Sequence, residues 1–517
     1  MALALLAVAA CTRSSKPGPS VTTSATGSAT PSSSSVAPSP TSSAAGQVEF
    51  SDCSAQFRAA INNDRAKAMD FTCGKVVVPL DYAKPSGSKI DIFVVKVHWR
   101  KQQASGRLGS LFVNPGGPGV SGVNLAAGLV TQLSDDVFAH FDLIGFDPRG
   151  VGLSTPVECI SDRQKDAYSA QNPDVRTVAG RAAARKVSAA IDRGCVAKYR
   201  SALGEYNTEE TARDMDLIRA WTGDTKLNYL GYSYGTRLGA TYAHLFPTRI
   251  RTAVLDGALD PVTPELVADE RQAKGFEDAF DQFAADCLKR PACAVLGDPR
   301  TVVTSLIKAA DRAPIGSSAT GETRRATGGI LVIAVAAALY DRAQWNELGQ
   351  ALLAAKRGDA KAVFTLADGY LGRDPDTGHY NNLMDANLAV NCNDSTLKVT
   401  DALVAAKAVQ WAAKYPIFGM NAAASLYNCI SWPPSGHPLP SASAPGAPPI
   451  LVVGTVHDPA TPFSATGLLA KALGSGVVLS WNGEGHTAYP KTKCVTSKVN
   501  VYLITAAVPA GNSCPAS

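Results

Sequence analysis

The chain has 517 residues, 45% of them hydrophobic and 18% charged, enough for a large core and more than one minimal domain requires. Its 49 Lys and Arg stand against 44 Asp and Glu, a net charge of +5 with no basic run, which argues against nucleic acid as a partner. Beyond the N-terminus no stretch approaches the roughly 18 apolar residues of a membrane span.

Residues 1–11, MALALLAVAAC, form an apolar leader that resembles a bacterial lipoprotein signal, with Val8-Ala9-Ala10 before a Cys11 that would carry the lipid. No Lys or Arg precedes the apolar run. Membrane contact is expected only through that anchor. Residues 12–46 are nearly all Ser, Thr, Pro, Ala and Gly, too poor in apolar surface to offset the entropy of ordering, and read as a flexible tether to an exported protein.

Strand-like runs open the globular part at Lys75–Pro79, Lys89–Trp99 and Ser110–Val113. The short apolar runs Phe141–Phe146, Leu227–Leu230 and Thr252–Leu255 read as buried central strands. Helical patterns at Thr208–Trp221 and Thr236–Phe246 alternate with them, which indicates a mostly parallel sheet covered on both faces. After Pro264 the pattern turns helical, at Glu265–Leu288 and Ile330–Ala367. Strand signals return at Pro449–Gly454 and Gly476–Trp481. The fold class is therefore α/β: a sheet domain over 47–262, a helical cap over 263–430, and a C-terminal part over 431–517 that completes the sheet.

Setting Cys11 aside leaves ten of the eleven cysteines. None forms a CxxC and no His/Cys cluster has zinc spacing, so no metal is expected. An oxidising compartment and five disulfides explain them better. One arrangement joins sequence neighbours: Cys53–Cys73, Cys159–Cys195, Cys287–Cys293, Cys392–Cys429 and Cys494–Cys514.

The sharpest motif is Gly231-Tyr232-Ser233-Tyr234-Gly235, a GxSxG between a strand and a helix. That context suits a nucleophile elbow, in which Ser233 takes a strained turn and flanking glycines let strand and helix approach. A serine hydroxyl needs a base, and after such an elbow the acid and then the histidine follow in the chain. Of seven histidines, His486 lies in the glycine-flanked segment behind the last strand. His98, His244 and His437 fall in a strand, the elbow helix and a Pro-rich linker. Asp458, after the preceding strand, is the expected acid, with Glu484 second and His457 on the wrong strand for the base. The oxyanion would meet the backbone N–H of Tyr234 and, from Asn114-Pro115-Gly116-Gly117-Pro118-Gly119, that of Gly117.

These pieces, together with Asp147-Pro148-Arg149-Gly150-Val151-Gly152-Leu153-Ser154 and Asp458-Pro459-Ala460-Thr461-Pro462, resemble the prolyl and tripeptidyl aminopeptidase branch of the α/β-hydrolases. The lipoprotein-like start, the paired cysteines and Ala389-Val390-Asn391-Cys392-Asn393-Asp394 are similar to secreted tripeptidyl aminopeptidases of high-GC Gram-positive bacteria. The resemblance covers about residues 50–517. It implies an α/β-hydrolase fold with a helical cap and release of short peptides from free N-termini of peptides or proteins, without a cofactor. Such an enzyme needs a carboxylate for the substrate ammonium: Asp394 is preferred, with Glu265, Asp269 and Glu270 as alternatives. An envelope carboxylesterase or lipase would use the same triad, and a binding protein on this scaffold would show a broken one.

Overall fold

A computed structural model describes residues 50–294 and 297–516; the expected leader, Cys11 and the tether lie outside them. Among these residues ten strands form one sheet, in the order β1 (Phe50–Asp52), β2 (Met69–Pro79), β3 (Lys89–Trp99), β5 (Phe141–Phe146), β4 (Gly109–Asn114), β6 (Leu227–Tyr232), β7 (Ile250–Asp256), β8 (Ile450–His457), β9 (Gly476–Glu484) and β10 (Ser513–Cys514). From β5 to β10 every neighbouring pair is parallel, whereas β1, β2, β3 and β5 pair antiparallel.

β4, β5 and β6 are buried at every position. Alternation decides which face each side chain serves. Leu111, Val113 and Leu230 join Val453 and Tyr502 in the core on one face, while Phe112 and Tyr229 join Leu238 and Ile218 on the other. β2 begins six residues before the run expected from sequence. Its first half pairs with β3 through Val97 and Val95, and Cys73 within it is bridged to Cys53.

The expected stretch Ile330–Ala367 is three helices, Gly328–Leu339, Trp345–Lys356 and Lys361–Leu371, and Glu265–Lys289 precedes them. Gly328–Leu339 is apolar all round and buried among Phe276, Phe280, Phe283 and Phe364, the placement such a helix demands. The helical layer also extends beyond 263–430. Asp162–Ser169 and Val178–Tyr199, which follow β5, pack against it, with Ala184 and Val175 buried against Val404 and Trp411. The disulfides are Cys53–Cys73, Cys159–Cys195, Cys287–Cys293, Cys392–Cys429 and Cys494–Cys514. Five disulfides of this kind are consistent with an exported protein. Among the described residues no helix is long and apolar enough to cross a membrane, and no group of three or more His, Cys, Asp or Glu is arranged to hold a metal ion.

Candidate active site

β6 ends at Tyr232 and the next helix, Tyr234–Leu245, starts two residues on, leaving Ser233 alone in the turn with φ 54° and ψ −121°. A non-glycine residue in that region stores strain that the surroundings must hold. They do so tightly. The Ser233 N–H donates to the carbonyl of Asp256 at the end of β7 (2.8 Å), and a Cβ on Gly231 would come within 2.5 Å of the Gly235 carbonyl oxygen. Tyr234 is the first helical residue, so its N–H belongs to the turn that has no partner within the helix.

The loop after β4 closes over this elbow. Gly116 has φ 94°, and a Cβ there would sit 2.9 Å from the Tyr234 nitrogen and 3.0 Å from the Ser233 Cβ. Gly116 thus makes the closest approach, and Gly117, the residue expected to donate to an oxyanion, follows it on the wall of a cavity of about 80 Å³. The Asp147–Ser154 motif holds the far end of this loop. Asp147 accepts from the Ser121 hydroxyl (2.5 Å) and the Leu153 N–H (2.9 Å), and burial raises its pKa. Arg149, wholly buried, forks onto Asp214 through two 2.8 Å bonds.

Asp458 follows β8 directly, and its carboxylate receives the N–H groups of Ala460 (2.9 Å) and Thr461 (2.8 Å). His486 lies 3% exposed, with Nδ1 2.9 Å from both Asp458 oxygens. An ionised carboxylate only accepts, so Nδ1 carries the proton and Nε2 keeps its lone pair. Nε2 is buried and makes no hydrogen bond among the described residues. The imidazole packs against Gly257, since a Cβ at Gly257 would stand 3.1 Å from His486 Cε1. Gly257 follows the Asp256 whose carbonyl holds Ser233, which brings the histidine to the elbow.

The strand before His486 runs on to Glu484, so the loop starts only at Gly485. Glu484 faces His457 (3.9 Å) instead of the imidazole. His98 is committed to Asp142, His244 to the Ser443 carbonyl and His437 to Glu205.

Three residues without a role in the sequence-based expectation hold the histidine loop. Asp256, fully buried, accepts the N–H groups of Ala488 (3.0 Å) and Tyr489 (2.7 Å), and burial pushes it up to about 6. Lys491 donates to the His486 carbonyl (2.7 Å), with its pKa lowered by burial. Tyr340, from the cap, accepts the His486 N–H on its carbonyl (2.8 Å) and sets its ring edge-on to the imidazole, centroids 5.2 Å apart. Only Asp256 left a trace in sequence, as a charge closing a buried strand before glycine.

The four carboxylates considered for a substrate ammonium separate. Asp394, the preferred one, is committed elsewhere, because its two oxygens accept the N–H (3.0 Å) and hydroxyl (2.6 Å) of Thr208, at the start of helix Thr208–Trp221. Burial holds Asp394 up to about 6. Glu265 accepts from Ser395 and Thr396, and Glu270 pairs with Lys414 (2.8 Å). Asp269 alone of the four lines the cavity beside Gly117, Pro118 and Thr461.

Residues 109–490 match the family model described as alpha/beta hydrolase fold. The chain belongs to this family. It is similar to a serine protease, Hip1, of Mycobacterium tuberculosis, at 38% identity over 456 residues covering 84% of this chain and 86% of that one. It is 35% identical to Carboxylesterase B of the same organism, covering 86% of each chain. A tripeptidyl aminopeptidase of Streptomyces coelicolor is 30% identical, covering 89% of this chain and 84% of that one.

Proposed function

We propose that the protein is an exported serine peptidase that releases short peptides, tripeptides foremost, from free N-termini. The observation that carries the chemistry is the polarised imidazole: His486 is held through Nδ1 by Asp458 and leaves Nε2 buried and unbonded at the strained Ser233 turn. Ser233 attacks the scissile carbonyl while His486 takes its proton, and the N–H groups of Tyr234 and Gly117 receive the oxyanion. His486 returns the proton to the leaving amine, water enters, and the same steps in reverse free the peptide acid. Asp458 fixes the tautomer and stabilises the imidazolium.

The relatives named serine protease and tripeptidyl aminopeptidase support the peptide substrate. We assign Asp269 to the substrate ammonium, because it lines the cavity that opens beside the oxyanion loop. The disulfides support export, and the lipoprotein-like sequence of residues 1–11 supports an anchor at Cys11. The relative named Carboxylesterase B favours a second reading, an esterase with the same triad. Tripeptide p-nitroanilides with free and acetylated N-termini, run beside short and long acyl p-nitrophenyl esters, separate the two. Cleavage of free-amino peptides that disappears in Ser233→Ala is expected. Activity that survives Ser233→Ala refutes the mechanism, and preference for acetylated peptides or long esters refutes the aminopeptidase.

A further inference from the structure

A second, larger cavity of about 130 Å³ lies between helix Val178–Tyr199 and the cap helices Leu383–Asp394 and Gly419–Ser425. Much of its wall is apolar, from Ile160, Ile191, Ile333 and Leu388. Asp192 breaks that pattern. It is 0% exposed, and while its Oδ2 accepts the Ser431 N–H (2.7 Å), its Oδ1 is buried without a hydrogen-bond partner among the described residues. The hydroxyl of Ser169, on the same wall, is likewise buried and unpartnered. The cavity's other acid, Asp385, already has a counter-charge: its Oδ2, buried without a hydrogen bond among the described residues, stands 2.5 Å from the Lys165 ammonium, and its Oδ1 accepts the Cys159 N–H (2.8 Å). A buried carboxylate oxygen left without a donor is unfavourable unless something that enters the cavity supplies one.

The cavity adjoins the reaction centre. Asn387 lines it and donates through Nδ2 to the carbonyl of Pro118 (2.9 Å), and Pro118 lines the smaller cavity beside Gly117. We propose that this cavity is a subsite for a basic substrate side chain, a primary ammonium on an unbranched apolar stem such as that of lysine, with Asp192 as its counter-charge. The proposal rests on the peptidase reading above. An ammonium carries three donors on one atom, which suits a single free carboxylate oxygen and a hydroxyl, and its stem suits the aliphatic walls. A guanidinium prefers both carboxylate oxygens at once, and Oδ2 is committed to Ser431. Burial pushes Asp192 up to about 7, outweighing the Ser431 N–H and the charge of the neighbouring Arg193.

The test uses tripeptide p-nitroanilides carrying lysine or norleucine at each of the three positions, with the native sequence, Asp192→Asn and Ser169→Ala. At one position lysine should lower KM about tenfold or more relative to norleucine, equivalent to about 1.4 kcal/mol or more. Asp192→Asn should erase that preference and leave kcat on norleucine peptides and fluorophosphonate labelling of Ser233 unchanged. Equal treatment of lysine and norleucine at all three positions overturns the proposal, as does a lysine preference that survives both substitutions. A direct measurement separates this from failure of the peptidase reading: n-butylammonium, but not n-butanol, should raise the melting temperature of Ser233→Ala protein and lose that effect when Asp192→Asn is added. No shift with n-butylammonium refutes the site whether or not peptides are cleaved.

Discussion

Asp256→Asn isolates the effect of burying a charge behind the loop that carries His486. The carboxylate is wholly buried at the end of β7 and accepts the N–H groups of Ala488 and Tyr489, yet burial outweighs those bonds and lifts it from 3.8 to about 6. Two pH units correspond to about 3 kcal/mol. Between about pH 4 and 6 the folded protein keeps a proton that the unfolded chain has released, so stability falls as pH rises through that window. Asparagine keeps an acceptor oxygen and cannot ionise. The variant should therefore gain on the native protein by about 3 kcal/mol between about pH 4 and 7.5, whatever its starting deficit. Urea unfolding with disulfides intact, read at both pH values by near-UV circular dichroism, measures the difference. A gap between the two proteins that does not change with pH would refute the idea that Asp256 is ionised against its burial.

Asp458→Asn should lower kcat by about 10⁴-fold with KM little changed, because an amide N–H facing Nδ1 selects the wrong tautomer; a pH–rate profile with fluorophosphonate labelling checks this. Gly116→Ala puts a Cβ 2.5 Å from the Tyr232 carbonyl in a backbone region alanine resists, so labelling of Ser233 should slow by about 100-fold or more. Arg149→Lys breaks the fork onto Asp214 in a fully buried site and should cost about 3 to 5 kcal/mol of stability in urea unfolding. Replacing Cys392 and Cys429 by alanine opens a separation of 37 residues and should cost about 4 kcal/mol on loop-closure grounds, measured in the same way.

The elements that bear Ser233, Asp458 and His486 were legible because their signals are local. A GxSxG needs only a strand before it and a helix after it, and the order of acid and histidine follows from where strand patterns resume. Boundaries were less legible. The strand before His486 continues through Asn482, Gly483 and Glu484, which read as a loop because a glycine and polar residues hide a ladder that pairing with β8 sustains. The helices at 162–205 read as part of the sheet region, since nothing local says that Ala184 is buried beside Trp411.

By itself, then, the sequence determined the sheet-and-cap class, the elbow at Ser233 and the pairing of Asp458 with His486. Each follows from short-range periodicity and chain order. Tertiary structure alone decided what the remaining carboxylates do. Asp394 caps the helix at Thr208, 186 residues away in sequence, Asp256 holds the Ala488 N–H 232 residues on, and Asp269 reaches the cavity wall beside Gly117. An aspartate's role depends on which donors meet it and how far water is excluded. Both are set by chain segments distant in sequence, so no local pattern can distinguish a capping aspartate from one that binds substrate.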